Sequence, residues 1–112
     1  MTIKNKVLID SKLLESSQTT QYTTPDRTKA VIDKATVTNT SASSVNLSVN
    51  IVKVGDTASA VDLIVDDRTI AAGETYGLPE MIGHVLEQGY FISTITGTGS
   101  VLSLRVSGRE IV

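Results

Sequence analysis

The sequence predicts an all-β fold, an antiparallel β-sandwich or jelly roll with at most one short helical turn. Three observations carry that prediction. Short runs rich in Val, Ile and Thr alternate apolar with polar side chains at the two-residue period of a half-buried strand. Polar turns built of Ser, Thr, Asn, Asp and Gly separate those runs. No stretch sustains helical periodicity over several turns. A chain of 112 residues has the bulk for a single core, so residues 1–112 are read as one sandwich domain. Within it, residues 1–21 are either an edge strand or an extended N-terminal arm.

Taken in order, Ile3, Val7 and Ile9 alternate as a strand would, and Leu13 and Leu14 follow before the polar stretch SSQTTQYTTPDRT. As the first strand these residues join the sheet. As an arm they find their burial on another chain, which makes Ile3, Val7, Ile9, Leu13 and Leu14 candidate partner-interface residues. Lys29 to Thr40 is rich in β-branched residues, with Val31, Ala35 and Val37 in step. It reads as a strand paired, through the turn Asn39–Ser43, with the strand that follows. From Ser44 to Val54, Val45, Leu47, Val49 and Ile51 take one face, and Asn46, Ser48 and Asn50 the other. Val52 and Val54 fall on the opposite parity, which predicts a bulge or bend near Ile51–Val52. After the loop GDTASA, Val61, Leu63 and Val65 define a third strand that Asp66–Asp67 closes. Arg68 to Ala72 is short, and Gly73 suits a tight reversal. Tyr90–Thr96 and Val101–Ser107 flank the linker Gly97–Ser100 and read as a hairpin. Leu102, Leu104 and Val106 then face inward, leaving Ser103, Arg105 and Ser107 toward solvent or a partner. Two stretches compete as helices, LIDSKLLESS and Leu78 to Gln88. In the second, Met81, Ile82, Val85 and Leu86 keep helical spacing. Gly83 weakens it and no good cap precedes Pro79, so one turn is the expected limit.

Composition narrows the function. The hydrophobic share is 40% but aromatic residues are only 4%, with no Trp. Aromatic platforms grip sugars and unstacked bases, so their scarcity counts against a lectin or a single-strand binder. A net charge of −2 without any block of like charge argues against nucleic acid and membrane surfaces as partners. The absence of Cys removes disulfides, thiolate catalysis and sulfur-ligated zinc. Lys4, Lys6, Asp10 and Lys12 interrupt the N-terminal apolar positions before an export signal develops. The expected product is a soluble protein made in a cytoplasm.

Three groupings invite a chemical reading. Glu80, His84 and Glu87 surround the only histidine, but a zinc site needs three protein ligands at the least, and calcium needs more converging oxygens than this segment offers. The plainer reading is that Pro79 and Gly83 shape a bend, Leu78, Met81, Ile82 and Val85 plug one end of the sandwich, and His84 sits at its edge. Asp62, Asp66 and Asp67 lack the Gly-containing twelve-residue loop of an EF-hand and read as a charged strand edge. No G-x-S-x-G elbow occurs, and the glycines of GTGS lie between two strands, not between a strand and a helix. No catalytic residue, no cofactor and no metal are expected, so the chain is read as not an enzyme.

Five short motifs carry a resemblance. They are a Tyr-Thr-x-Pro start at Tyr22–Pro25, an Asn-Thr turn at Asn39–Thr40, a Gly-Glu-Thr-Tyr-x-Leu-Pro turn at Gly73–Pro79, a Gly-His-x-Leu-x-x-Gly turn at Gly83–Gly89, and a Ser-Gly-x-Glu ending at Ser107–Glu110. Over Tyr22 to the C-terminus the chain resembles small β-sandwich virion proteins of tailed bacteriophages; the first twenty-odd residues lie outside the likeness. The resemblance implies a virion component without enzymatic activity. Its implied role is a head decoration or cement protein that clamps major-capsid subunits, as a homo-oligomer (dimer or trimer); Tyr76 joins the candidate partner-interface residues of the N-terminal segment. The alternatives are an adaptor at the neck, tail or fibre base, and a carbohydrate- or surface-binding module gripping through Tyr76 and Tyr90.

Overall fold

Alternation turns into nine strands: β1 (Ile3–Leu13), β2 (Thr19–Thr23), β3 (Lys29–Asn39), β4 (Val45–Val52), β5 (Leu63–Ile70), β6 (Thr75–Gly77), β7 (Val85–Leu86), β8 (Phe91–Thr96) and β9 (Leu102–Ile111). The structure is a computed structural model and describes residues 1–112. Every strand pair is antiparallel. One sheet has the order β1-β9-β3-β6, with β7 also on β3; the other has the order β2-β8-β4-β5. β6 and β7 lie along the same side of β3, opposite Thr36–Thr38 and Ala30–Val31. Counted as one interrupted strand, they complete an eight-stranded jelly roll in which only β4 and β5 are both sequential and paired.

The core lies between the sheets. Ala30, Ile32, Ala35 and Val37 of β3 and Leu102, Leu104 and Val106 of β9 meet Val45, Leu47 and Val49 of β4 and Ile92 of β8. Leu14, Ile70, Leu78, Met81 and Leu86 close the margins and are fully buried. Each such aliphatic side chain contributes about 1.5–3 kcal/mol by leaving water. Ile82 and Val85, expected in the plug, are exposed at 45% and 46%. The interruption between β6 and β7 holds one turn of 3-10 helix, Pro79–Met81, and points only Leu78 and Met81 inward.

The expected hairpin of β8 and β9 is a crossover between sheets. β9 has β1 and β3 on its two sides, and β8 has β2 and β4. β3 and β4 are likewise in different sheets, so the turn Asn39–Ser43 is a corner. Asn39, fully buried, fastens it: its amide donates to the carbonyls of Ser43 (2.8 Å) and Ile70 (2.9 Å), and its side-chain oxygen accepts from the Ser41 N–H (2.9 Å) and hydroxyl (2.8 Å).

Register shifts explain the remaining differences. β3 holds one extra residue at Asp33, between the pairs Ile32↔Gly108 and Lys34↔Ser107. Ile32 and Ala35 therefore both face the core, and Val31 is not in step with Ala35 and Val37. β4 pairs with β8 without interruption from Leu47 to Val52, so no bulge falls at Ile51–Val52. The irregularities lie in β5, which does not end at Asp66–Asp67 but continues through them to Ile70. Asp67 takes φ 47 there, a left-handed backbone that Asp adopts more readily than most residues. Val61, 93% exposed, belongs to a second 3-10 turn, Ala60–Asp62, and not to a strand. LIDSKLLESS contributes the end of β1 and no helix. β1 pairs with β9 from Ile3 to Leu13, with Thr2 and Val112 exchanging backbone hydrogen bonds beyond it, so it forms the edge of its sheet.

Candidate partner interface

Of the apolar N-terminal residues, Ile3, Val7 and Leu13 are exposed at 52%, 38% and 48%. Their β9 partners are Ile111, Ser107 and Ser103, whose alternation against buried Leu102, Leu104 and Val106 puts all three on the outer face of the sheet. Ile9 and Leu14, at 3% and 0%, are core residues of this chain and leave the candidate interface. The cause is a pair of register shifts in β1, between Val7 and Ile9 and between Ile9 and Lys12, which turn Ile9 inward although it shares sequence parity with Val7. Tyr76 stands on β6, at the far side of the same sheet, and does not join them in one patch. The Arg68 guanidinium lies 4.1 Å from its ring centroid, and its hydroxyl donates to Glu80 at 3.4 Å.

The edge of β1 is poorly suited to pairing with a further strand. Lys4 and Lys6 stand opposite Glu110 and Gly108, on the inward parity of the strand, and an inward charge on an edge obstructs a strand laid beside it. Lys6 Nζ reaches Glu110 at 3.2 Å. Glu110 is only 5% exposed, and its second oxygen accepts from the Tyr22 hydroxyl of β2, which ties the two sheets at this end. Burial, and then the bond to Glu110, push the Tyr22 hydroxyl above its ordinary pKa. Two motifs distant in sequence, Tyr22–Pro25 and Ser107–Glu110, thus meet in one contact. Gly108 in the same ending is forced by the Asp33 bulge: a Cβ there would lie 2.0 Å from the Val31 carbonyl oxygen.

The outer face of β1, β9 and β3 forms an open concavity of about 450 Å³. Ser11, Thr36, Thr38, Ser103 and Ser107 line it with hydroxyls, and Lys34 and Arg105 supply positive charge. Simple alternation along β9 already puts Ser103, Arg105 and Ser107 on this face. Nothing in the sequence singles out Lys34, Thr36 and Thr38, although they fall on the parity opposite Val31, Ala35 and Val37; Ser11 shares the parity of Ile9, and only the register shift between Ile9 and Lys12 sets it outward where Ile9 is inward.

The acidic segment around the histidine disperses. Glu80 pairs with Arg68 (3.5 Å), Glu87 with Lys29 (3.3 Å), and His84 is exposed beside Lys53, Asp56 and Tyr90 at a shallow depression. Nowhere do three His, Asp or Glu side chains converge as a metal would require. Asp62, singled out as part of a charged edge, accepts from the Asn50 amide (2.6 Å) and the Ser59 N–H (3.1 Å), and so fastens the 53–62 loop to β4.

No family model matches the sequence, and no curated protein matches it. Among solved structures, the fold is similar to a chain in the structure of infectious bursal disease virus, Gx strain, with a TM-score of 0.52 and 16% identity. The likeness covers 97% of this chain and 32% of that one, so this chain spans about a third of its neighbour's length. At that identity the likeness is one of fold alone.

Proposed function

We propose that the chain is a non-enzymatic structural component of a virion, a capsid decoration or cement protein that bridges major-capsid subunits, itself a dimer or trimer. The observation that carries this reading is the outer face of the β1-β9-β3 sheet. There exposed Val7 and Leu13 border a polar concavity on a two-sheet frame, with exposed Ile3 further along the same face, a surface suited to docking and not to enclosing a substrate. The structural likeness to a chain of a virus supports the same class of role. A slab 46 Å in its longest dimension bridges neighbouring subunits through modest contacts, and repetition over a shell turns modest affinity into firm attachment. The sugar-binding alternative is weakened by Arg68 lying over the Tyr76 ring. The test is to add the purified protein to capsids that lack it. Co-sedimentation and a raised capsid melting temperature are expected. Failure to bind capsids refutes the role, and binding to isolated necks or tails instead assigns the chain to an adaptor position.

A further inference from the structure

The outer concavity of the β1-β9-β3 sheet has a charge pattern that its neighbours do not neutralise. Lys6, Lys12, Lys29, Arg68 and Arg109 each hold a carboxylate; Lys4, Arg27, Lys53, Lys34 and Arg105 hold none, and of these Lys34 and Arg105 are the two that line this concavity. Both are exposed, and no acidic or apolar side chain lines the concavity. Around them, Ser11, Thr36, Thr38, Ser103 and Ser107 offer hydroxyls that donate to an anion. The protein as a whole is formally −2, so this is a local reversal of sign.

Two bulges build this face. With unbroken alternation from Ile32, Lys34 would point into the core; the extra residue at Asp33 turns it outward beside Ser107. In the same way the shift between Ile9 and Lys12 brings Ser11 to the outer side. Bulges recur where a strand re-aims a side chain. The register also fixes the separation of the two backbone positions that carry these cations. Thr36 stands opposite Arg105, and Lys34 is two residues along β3, so Lys34 and Arg105 are diagonal neighbours about 7–8 Å apart. In an extended peptide, residues i and i+2 share a face and lie roughly 6.6 Å apart.

We propose that this face is a docking site for an extended acidic segment of a partner protein, one presenting two carboxylates at alternate positions, with Arg105 and Lys34 each taking one carboxylate. Arg105 takes its carboxylate through the planar two-donor geometry of a guanidinium, Lys34 as a point charge, and the surrounding hydroxyls fill the remaining acceptor positions. Val7 and Leu13 of β1, opposite Ser107 and Ser103, supply the apolar border. The inference deepens the proposed function, resting on its reading that the chain docks on other proteins.

The test titrates the isotope-labelled full chain with a capped heptapeptide Gly-Ser-Glu-Ser-Glu-Ser-Gly, with its Gln-for-Glu counterpart, and with inorganic phosphate. The acidic peptide is expected to shift the amides of Lys34–Thr38 and Ser103–Ser107, and the Lys34→Gln, Arg105→Gln double variant to weaken its binding about tenfold, since exposed ion pairs contribute a few-fold each. Equal binding of the Gln peptide, shifts elsewhere, or no shift at millimolar peptide overturns the site; phosphate acting as strongly on the same amides makes it a site for small anions and overturns the peptide assignment. The same double variant is then compared with the wild type on capsids. A variant that binds as well as the wild type defeats this inference and leaves the virion role standing, whereas a wild type that binds no capsid defeats the role while the titration still judges the face.

Discussion

Gly108→Ala is the sharpest probe of the frame that carries the outer face. A Cβ at position 108 would stand 2.0 Å from the Val31 carbonyl oxygen, 3.0 Å from its carbon and 3.2 Å from Ile32 Cα. Carbon and oxygen rest no closer than about 3.3 Å, so the β3 backbone must retreat by roughly 1.3 Å in the middle of its sheet. Overpacking of that kind costs about 1–3 kcal/mol. The strained ladder beside the Asp33 bulge gives up a hydrogen bond worth about 1 kcal/mol, and the lower entropy of the unfolded Ala chain returns about 0.4–1 kcal/mol. The net loss is about 1–3.6 kcal/mol, and a domain of this length loses roughly 4 °C per kcal/mol, so the melting temperature should fall by about 4–14 °C. Gly97→Ala is the matched control, because the nearest atom to its Cβ is the Asn46 nitrogen at an ordinary 3.9 Å and its φ is not positive; it should melt within about 2 °C of the wild type. Calorimetry of the three proteins decides the matter. A Gly108→Ala protein as stable as the Gly97→Ala protein would show that β3 does not bulge against β9 here, and Lys34 would lose its outward position with it.

Three further outcomes follow from named contacts. Asn39→Ala should cost about 2–4 kcal/mol in urea unfolding, because it leaves the buried Ile70 carbonyl without its donor and frees the corner between β3 and β4. Tyr22 holds its proton more tightly folded than unfolded, so its contribution is whole below the ordinary tyrosine pKa near 10 and is lost as pH rises past it. Wild-type stability should therefore decline above about pH 10, and Tyr22→Phe should flatten that decline while costing about 1–2 kcal/mol at neutral pH; an unchanged alkaline limb in the variant would count against the Tyr22–Glu110 tie. Val7→Ser and Leu13→Ser, at exposed positions, should leave stability within about 0.5 kcal/mol yet weaken capsid co-sedimentation about fivefold when combined.

The inward faces of the sandwich were legible wherever alternation runs unbroken. Leu102, Leu104 and Val106, and Val45, Leu47 and Val49, sit in the core on the parity that the sequence displays. Pairing was not legible. A short polar linker such as Gly97–Ser100 or Asn39–Ser43 joins two strands equally well within one sheet or across the gap between two, and period-two alternation says which face is buried but not which edge is occupied. Bulges were legible as a class of event but not in position. The lapse of parity at Val52 pointed to β4, whereas the extra residues belong to β1, β3 and β5. The motifs behind the bacteriophage resemblance have structural work in the fold: Asn39 fastens a corner, Gly73 turns at φ 72, and Tyr22 meets Glu110.

These misread bulges also separate two ways in which β1 engages a partner. An edge strand of eleven residues with exposed Ile3, Val7 and Leu13 reads as a template for adding a strand, of a second copy or of another protein. The structure disfavours that mode on two counts. Lys4 and Lys6 stand on the inward parity at the edge, so a strand laid alongside would cover their charges, and the register breaks between Val7 and Lys12 interrupt the straight hydrogen-bonding line such a strand needs. The first break turns Ile9 inward and the second returns Ser11 and Leu13 to the outer face that Val7 already occupies, beside Arg105 of β9 and Lys34 of β3. A single device closes the edge and furnishes the face. A partner therefore meets this sheet across its strands, and substitutions at Lys34 and Arg105 should affect docking more than a proline placed at Asn5, on the free side of β1.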